Sequence, residues 1–333
     1  MHEVDENRVV ITGLGPVSSI GIGARAFAAG IRQGRSGIST ISSFDPAGFP
    51  YVRAGEIKDF VPESLLRRLE PEQWGRSSQL AAAAARLAVR DGGLDPDAVQ
   101  SSRIGAVIGT TSGESQVVEA LARQQVGPGL GEAEPRLFGQ VPAARLAYAV
   151  SAELGITGES VTLATACSAS NYALGYAYDC LVSGEADAML AGGADSVCRW
   201  AHAGFYRLGA LTEFACSPFD ANRSGILTGE GGAVLLLETL SHATRRGARI
   251  YAELLGYGLN CDAHHMVAPE PASISACMRL ALHNAGVKPQ DVDYISAHGT
   301  GTPANDAVEA LAVLDVFGER PPPMSSIDRK SVV

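Results

Sequence analysis

The sequence predicts a layered α/β fold, and three observations carry that reading. Short apolar runs alternate with longer helix-compatible stretches along most of the chain, the order expected when strands and helices stack in layers. The 333 residues are 46% hydrophobic and only 19% charged, enough apolar material for a large core and too much for a disordered chain. Two of the apolar runs end on a residue able to do chemistry, Cys167 and His298, each with small or turn-forming residues and a helix behind it. Strand C-termini are where α/β sheets keep their sites.

Taken in order, Val9–Thr12 is the first β-branched run, and Ile104–Ile108 and Val161–Thr165 repeat the pattern at strand length. Ala188–Ala191 and Ala233–Leu237 are apolar at every position, as in strands covered on both faces. Ile250–Gly256 and Tyr294–Ala297 complete the strands. Helices are expected at Ser78–Arg90, Ala143–Leu154, Ser168–Ser183, Ala272–Ala285 and Ala304–Phe317, alanine-rich stretches longer than any strand. No internal sequence repeat is visible. Gly13-Leu-Gly15-Pro-Val-Ser18 lacks the third glycine of a dinucleotide fingerprint and carries a proline, so it reads as a tight strand exit. Gly127–Gly131 and the following Glu132–Pro135 read as a surface loop, and His242 and His283 as helix-face residues.

Composition narrows the function classes. A net charge of −10 argues against nucleic acid, which needs a basic footprint. The six cysteines, Cys167, Cys180, Cys198, Cys216, Cys261 and Cys277, show no Cys-x-x-Cys spacing, so no metal site is expected and reduced thiols are the natural state. The N-terminal Met1-His-Glu-Val-Asp-Glu-Asn7 is acidic where a secretory signal is basic, and no run approaches the ~20 apolar residues that span a bilayer. A cytoplasmic protein without a membrane partner is expected.

Val161-Thr-Leu-Ala-Thr-Ala-Cys167-Ser-Ala-Ser presents a thiol at a strand-to-helix turn. Unpaired N–H groups and the positive end of the helix dipole favour thiolate there. A lone cysteine in an apolar stretch also serves as simple packing. What favours a nucleophile is the distant segment Val292-Asp-Tyr-Ile-Ser-Ala-His298-Gly-Thr-Gly-Thr-Pro-Ala-Asn-Asp306-Ala-Val-Glu309, which ends a second strand on a histidine. A Cys and a His brought together by the fold form a usual nucleophilic pair.

These segments resemble those of the β-ketoacyl synthases of the thiolase superfamily, closest to the elongating type that acts on acyl carrier protein. Arg8-Val-Val-Ile-Thr-Gly-Leu-Gly15, Gly192-Gly-Ala-Asp195, Ser217-Pro-Phe-Asp220-Ala-Asn-Arg223-Ser-Gly225-Ile-Leu-Thr-Gly229-Glu230-Gly231 and Asp262-Ala-His-His265-Met agree with the family in its order, from about residue 8 to 327. The resemblance implies a thiolase-like five-layer αβαβα fold of two similar βαβαβαββ halves. The division falls near Arg245-Arg-Gly-Ala248, giving an N-terminal half over 1–245 with the nucleophile and an incomplete C-terminal half over 246–327, with the active site where the halves meet.

It also implies a mechanism. Cys167 takes an acyl group from a thioester, malonyl carrier protein loses carbon dioxide, and the enolate attacks the acyl-enzyme. His298 stabilises the enolate; Thr300 and Thr302 hydrogen-bond the pantetheine arm; Phe205 and Ser112 line the acyl pocket. His265 has a structural or gating role, and Asp306, Glu309 and Glu230 are structural support. No bound cofactor is expected beyond the phosphopantetheine arm of acyl carrier protein. The expected partners are that carrier, acyl and malonyl thioesters, and a second copy in a homodimer. Fatty acid and polyketide supply both fit, and the acyl chain length is left open. A non-catalytic partner of chain-length-factor type, which usually lacks the nucleophile, an inactive fragment, a thiolase and a priming ketosynthase are the alternatives.

Two departures stand out. Met266-Val267 occupies a place where relatives often present a threonine to pantetheine. At the end, Ser325-Ser-Ile327 is followed in the family by a lysine and a Gly-His whose histidine completes a Cys-His-His site, whereas here Asp328 stands at the lysine's place. Asp328–Val333 is also what GATCGGAAGAGCGTCGTG encodes, the start of a common sequencing adapter. These six residues are expected to be a non-native tail, the rest of the second half to be missing, and the chain as written to lack full activity.

Overall fold

The computed structural model describes residues 8–97, 99, 101, 103–126, 134–265 and 267–326. Its strands are β1 Val9–Ser18, β2 Gly21–Ile22, β3 Ile38–Thr40, β4 Arg53–Gly55, β5 Ile104–Gly109, β6 Ser160–Leu163, β7 Ala188–Asp195, β8 Thr228–Gly229, β9 Gly231–Thr239, β10 Ala252–Leu254, β11 Ile295–Ser296 and β12 Met324–Ser325. The helices are α1 Ala24–Arg32, α2 Pro62–Leu65, α3 Arg76–Asp91, α4 Ser115–Val126, α5 Pro135–Gln140, α6 Arg145–Leu154, α7 Ala169–Val182, α8 Arg199–Arg207, α9 Leu240–Arg245, α10 Pro271–Ala285 and α11 Pro303–Phe317.

Among the described residues the main sheet has seven strands in the order β10-β1-β9-β7-β5-β6, with β2 paired to β1. β5 runs parallel to β6 and β7, whereas β9 and β1 run antiparallel to their neighbours. Both faces are covered, which is why β5 and β7 are apolar almost throughout. One face carries α3 and α6 on a core that includes Leu80, Ala84, Ala88, Leu146, Val150 and Leu190. The other carries α7, packed on Val107, Met189, Ala191 and Leu237. Beyond α7, the segment 255–260 crosses toward α10: the Tyr257 ring lies against Gly175 of α7, and Tyr178 Oη donates to the Leu255 carbonyl at 3.3 Å. α10 and α11 pack on each other, and β11 and β12 pair in parallel. A main sheet covered by helices on both faces, with a second sheet and a second helix pair downstream, agrees with the thiolase-like reading. Among the described residues no helix is long and apolar enough to cross a membrane.

The structure corrects two expectations and shortens a third. Gly13–Ser18 is no strand exit, since β1 continues through it with a register shift between Ile11 and Gly13. The glycines are there for close packing: a Cβ on Gly15 would stand 2.7 Å from the Ala88 nitrogen of α3, and one on Gly13 3.0 Å from the Gly92 nitrogen. β6 stops at Leu163, two residues before the expected end, because the chain turns at Ala164 into the Cys167 segment. Pro135 opens α5 instead of closing a loop. Gly127–Ala133, Met266 and the tail Asp328–Val333 lie outside the described residues.

Candidate active site

β5, β6 and β7 are parallel and end at one edge of the sheet, so the residues that follow them are neighbours: 110–113, 164–168 and 196–198. The Thr110 N–H donates to the Leu163 carbonyl at 2.9 Å, which ties the first of these segments to the second. Cys167 stands in the middle segment, in a single 3₁₀ turn at Ala166–Ser168 immediately before α7. Ala166 has φ 53°, a left-handed conformation that a residue with a Cβ rarely adopts, and strain of this kind gathers at functional sites. Ser168 Oγ donates to the Thr165 carbonyl at 2.8 Å and holds the turn, and the Cys167 thiol is exposed.

The start of α7 is seated on glycine. A Cβ on Gly109 would lie 2.5 Å from both the Ala169 carbonyl oxygen and the Ser170 nitrogen, and one on Gly193 would lie 2.8 Å from the Gly109 carbonyl oxygen. Only bare backbone at these two strand positions lets the helix carrying the thiol descend this far.

His298 follows β11, and the turn after it is fixed from below by two carboxylates of α11. Glu309 accepts from the His298 N–H at 2.7 Å and the Gly299 N–H at 2.8 Å; Asp306 accepts from the Gly301 N–H at 3.1 Å. They lie three residues apart near the helix N-terminus, so they share a face and suit the dipole. Thr302 caps α11 through Asn305 N, and the Thr300 and Thr302 hydroxyls are 2.8 Å apart. His298, Thr300, Thr302, Asp306 and Glu309 thus form one constellation.

Asp306 also reaches the other half. It accepts from Phe219 N at 2.7 Å, where Phe219 has φ 63°, and faces Arg223 Nε at 3.6 Å; Cys216 Sγ lies 3.3 Å from the Thr300 carbonyl. The Pro218-Phe-Asp220 loop is therefore docked on the His298 turn. That loop follows α8, which the 196–198 segment opens with Cys198 as its cap and which carries the half-buried Phe205.

Glu230, 1% exposed, accepts from Ile57 N at 2.9 Å, from Val197 N at 3.4 Å and from Arg76 at 2.6 and 2.9 Å. His265 stands apart in an exposed loop, its Nδ1 accepting from the Val267 and Ala268 N–H groups at 3.1 Å, while His264 faces Glu270 at 3.3 Å. At the far end of α7, Glu159, Cys180 and Glu185 bring possible metal ligands within 4.8 Å of one another. Burial, with Glu159 and Glu185 beside it, pushes the Cys180 thiol up to about 11, so it keeps the proton a metal would have to displace.

Asp195 stands in the sequence only as the last residue of Gly192-Gly-Ala-Asp195. It ends β7 and accepts from Thr110 Oγ1 at 2.7 Å, Thr111 N at 2.9 Å and Ser112 N at 3.1 Å, so it anchors the loop beside the Cys167 turn. Burial pushes its carboxyl up, against the pull of those bonds. Its 85-residue separation from Thr110 hides the contact from any local pattern.

Residues 6–243 match the β-ketoacyl synthase N-terminal domain and residues 251–331 the β-ketoacyl synthase C-terminal domain. The 3-oxoacyl-[acyl-carrier-protein] synthase 2 of Staphylococcus aureus strain COL is 37% identical over 320 residues, spanning 94% of this chain and 77% of that protein. Among solved structures, the ishigamide ketosynthase/chain length factor aligns with a TM-score of 0.95 at 46% identity, over 97% of this chain and 81% of that one. A type II polyketide ketosynthase, in complex with its acyl-carrier protein and bound to a hexaketide, aligns with a TM-score of 0.87 at 31% identity, over 97% and 82%.

Proposed function

This chain belongs to the β-ketoacyl synthase family, and from that premise we propose that it is a 3-oxoacyl-[acyl carrier protein] synthase, an acyltransferase of fatty acid or polyketide synthesis. The observation that carries the reading is Cys167, exposed on a turn whose preceding residue is held at φ 53° and whose following helix rests on Gly109 and Gly193.

The Cys167 thiolate attacks the carbonyl carbon of an acyl thioester, and the carrier thiol leaves once the tetrahedral oxyanion collapses. Backbone N–H groups at the start of α7 suit that oxyanion. The malonyl thioester then loses its terminal carboxylate as carbon dioxide. The resulting enolate carbon bonds to the acyl carbonyl, and the electrons of the broken C–S bond return to Cys167. Charge on the enolate oxygen needs a donor, and His298, with its backbone clamped by Glu309, is the residue we assign to it. Thr300 and Thr302 are assigned to the pantetheine arm and Phe205 to the acyl pocket; His265 orders its own loop. No bound cofactor enters this scheme. Acyl carrier protein is the partner, in keeping with the carrier-bound relative. A dimer is assigned because β6 is the outer strand of the main sheet and presents an open edge to a second copy.

The second reading, a chain-length-factor partner, draws on the two-component relative at 46% identity. Cys167 weighs against it. The test is to add malonyl carrier protein to the acyl-loaded chain and follow the 3-oxoacyl thioester by mass. Product that disappears with Cys167→Ser supports the synthase; product retained by that variant would refute it.

A further inference from the structure

We propose that Asp195 is a positioning residue that sets acyl-chain selectivity, by holding the loop 110–113 against the Cys167 turn; the inference rests on the synthase reading above. A single oxygen, Oδ1, receives Thr110 Oγ1 at 2.7 Å, Thr111 N at 3.0 Å and Ser112 N at 3.1 Å, while Oδ2 takes Thr111 N at 2.9 Å. The Thr110 hydroxyl in turn accepts from Gly113 N at 2.9 Å, which closes the loop on itself. Donors from three consecutive residues converge on this one carboxyl group, which fixes the backbone of the whole loop.

Position gives the clamp its role. The loop leaves β5 beside Leu163, whose chain reaches the thiol four residues later, so it borders the turn on which an acyl group on Cys167 would ride. The same strand end continues through Ser196, whose hydroxyl is 3.1 Å from Ser77 Oγ, and Cys198 into α8 and Phe205. Ser112, a candidate wall of the acyl pocket, therefore hangs from this carboxylate. Releasing it moves the wall while leaving the sulfur on its glycine seat. A long acyl chain feels that shift and a short one does not.

The experiment compares the rates at which butanoyl and dodecanoyl carrier protein acylate Cys167 in the full chain and in the variants Asp195→Asn, Thr110→Val and Thr110→Ser. The ratio of the two rates is the readout, because a loss of folded protein lowers both rates equally and cancels. Asp195→Asn and Thr110→Val should change the ratio on the order of tenfold, the scale of one misplaced methylene. Thr110→Ser keeps the hydroxyl and should stay within about twofold of the parent. An unchanged ratio in Asp195→Asn and Thr110→Val, whatever the absolute rates, would overturn the inference. Absence of acyl transfer to Cys167 in the parent chain would instead overturn the synthase reading, and this inference with it.

Discussion

Replacing Gly109 by alanine tests the seat of the nucleophile. Gly109 lies outside the left-handed region, so alanine is permitted by the backbone and fails only by contact. Its Cβ would stand 2.5 Å from two backbone atoms of Ala169 and Ser170, against an ordinary contact of 3.4 Å or more. The start of α7 must rise by about 1 Å, and a misplacement of that size costs on the order of 10²-fold in rate when the displaced group reacts. Overpacking of one methyl should also lower stability by about 1–3 kcal/mol, leaving the protein folded. The assay is the time course of Cys167 acylation by intact mass, with urea unfolding on the same samples. Gly109→Ala should remain cooperative and acylate about a hundredfold more slowly. An alanine variant that acylates at the parent rate would show that the glycine seat does not position the thiol.

His298→Ala should spare acyl transfer to Cys167 and suppress malonyl decarboxylation, because enolate charge arises only in the second step; equal loss of both steps would make His298 a support for the thiol. Asp306→Ala strands the Phe219 and Gly301 N–H groups and Arg223, and should destabilise the chain by roughly 3 kcal/mol in urea unfolding, with Asp306→Asn losing less. An Asp306→Ala midpoint equal to the parent's would refute the link between the halves. Thiol alkylation at pH 8 should mark the exposed Cys167 and Cys261 and spare Cys180, which needs pH near 11 to ionise. Peptide mapping reads this, and early labelling of Cys180 would contradict its burial.

Much of the layered fold was legible because β5, β7 and β9 are continuous apolar runs and α3, α7, α10 and α11 are long. The helices α1 and α8 were not, since α1 follows a glycine-rich strand connection and α8 interleaves polar, aromatic and glycine residues; α4, with Val117, Val118 and Leu121 at helical spacing, was legible in the sequence. The strands β3, β4 and β8 are two or three residues long and exist only through pairing across the chain. Cys167 and His298 showed themselves by ending apolar runs, and Asp306 and Glu309 by their place at a helix start. The Asp195 clamp and the Asp306–Phe219 bond needed the strand order and the docking of the halves. Gly13 and Gly15 lie within β1 because they admit α3, and a local pattern cannot distinguish such a glycine from one that turns the chain.

The most direct measurement of the central claim is peptide-resolved mass spectrometry of the chain after exposure to an acyl carrier protein thioester. The acyl mass should appear on the peptide containing Cys167 and vanish in Cys167→Ser. Acyl mass on Cys180 or Cys261, or none on any cysteine, would contradict the account.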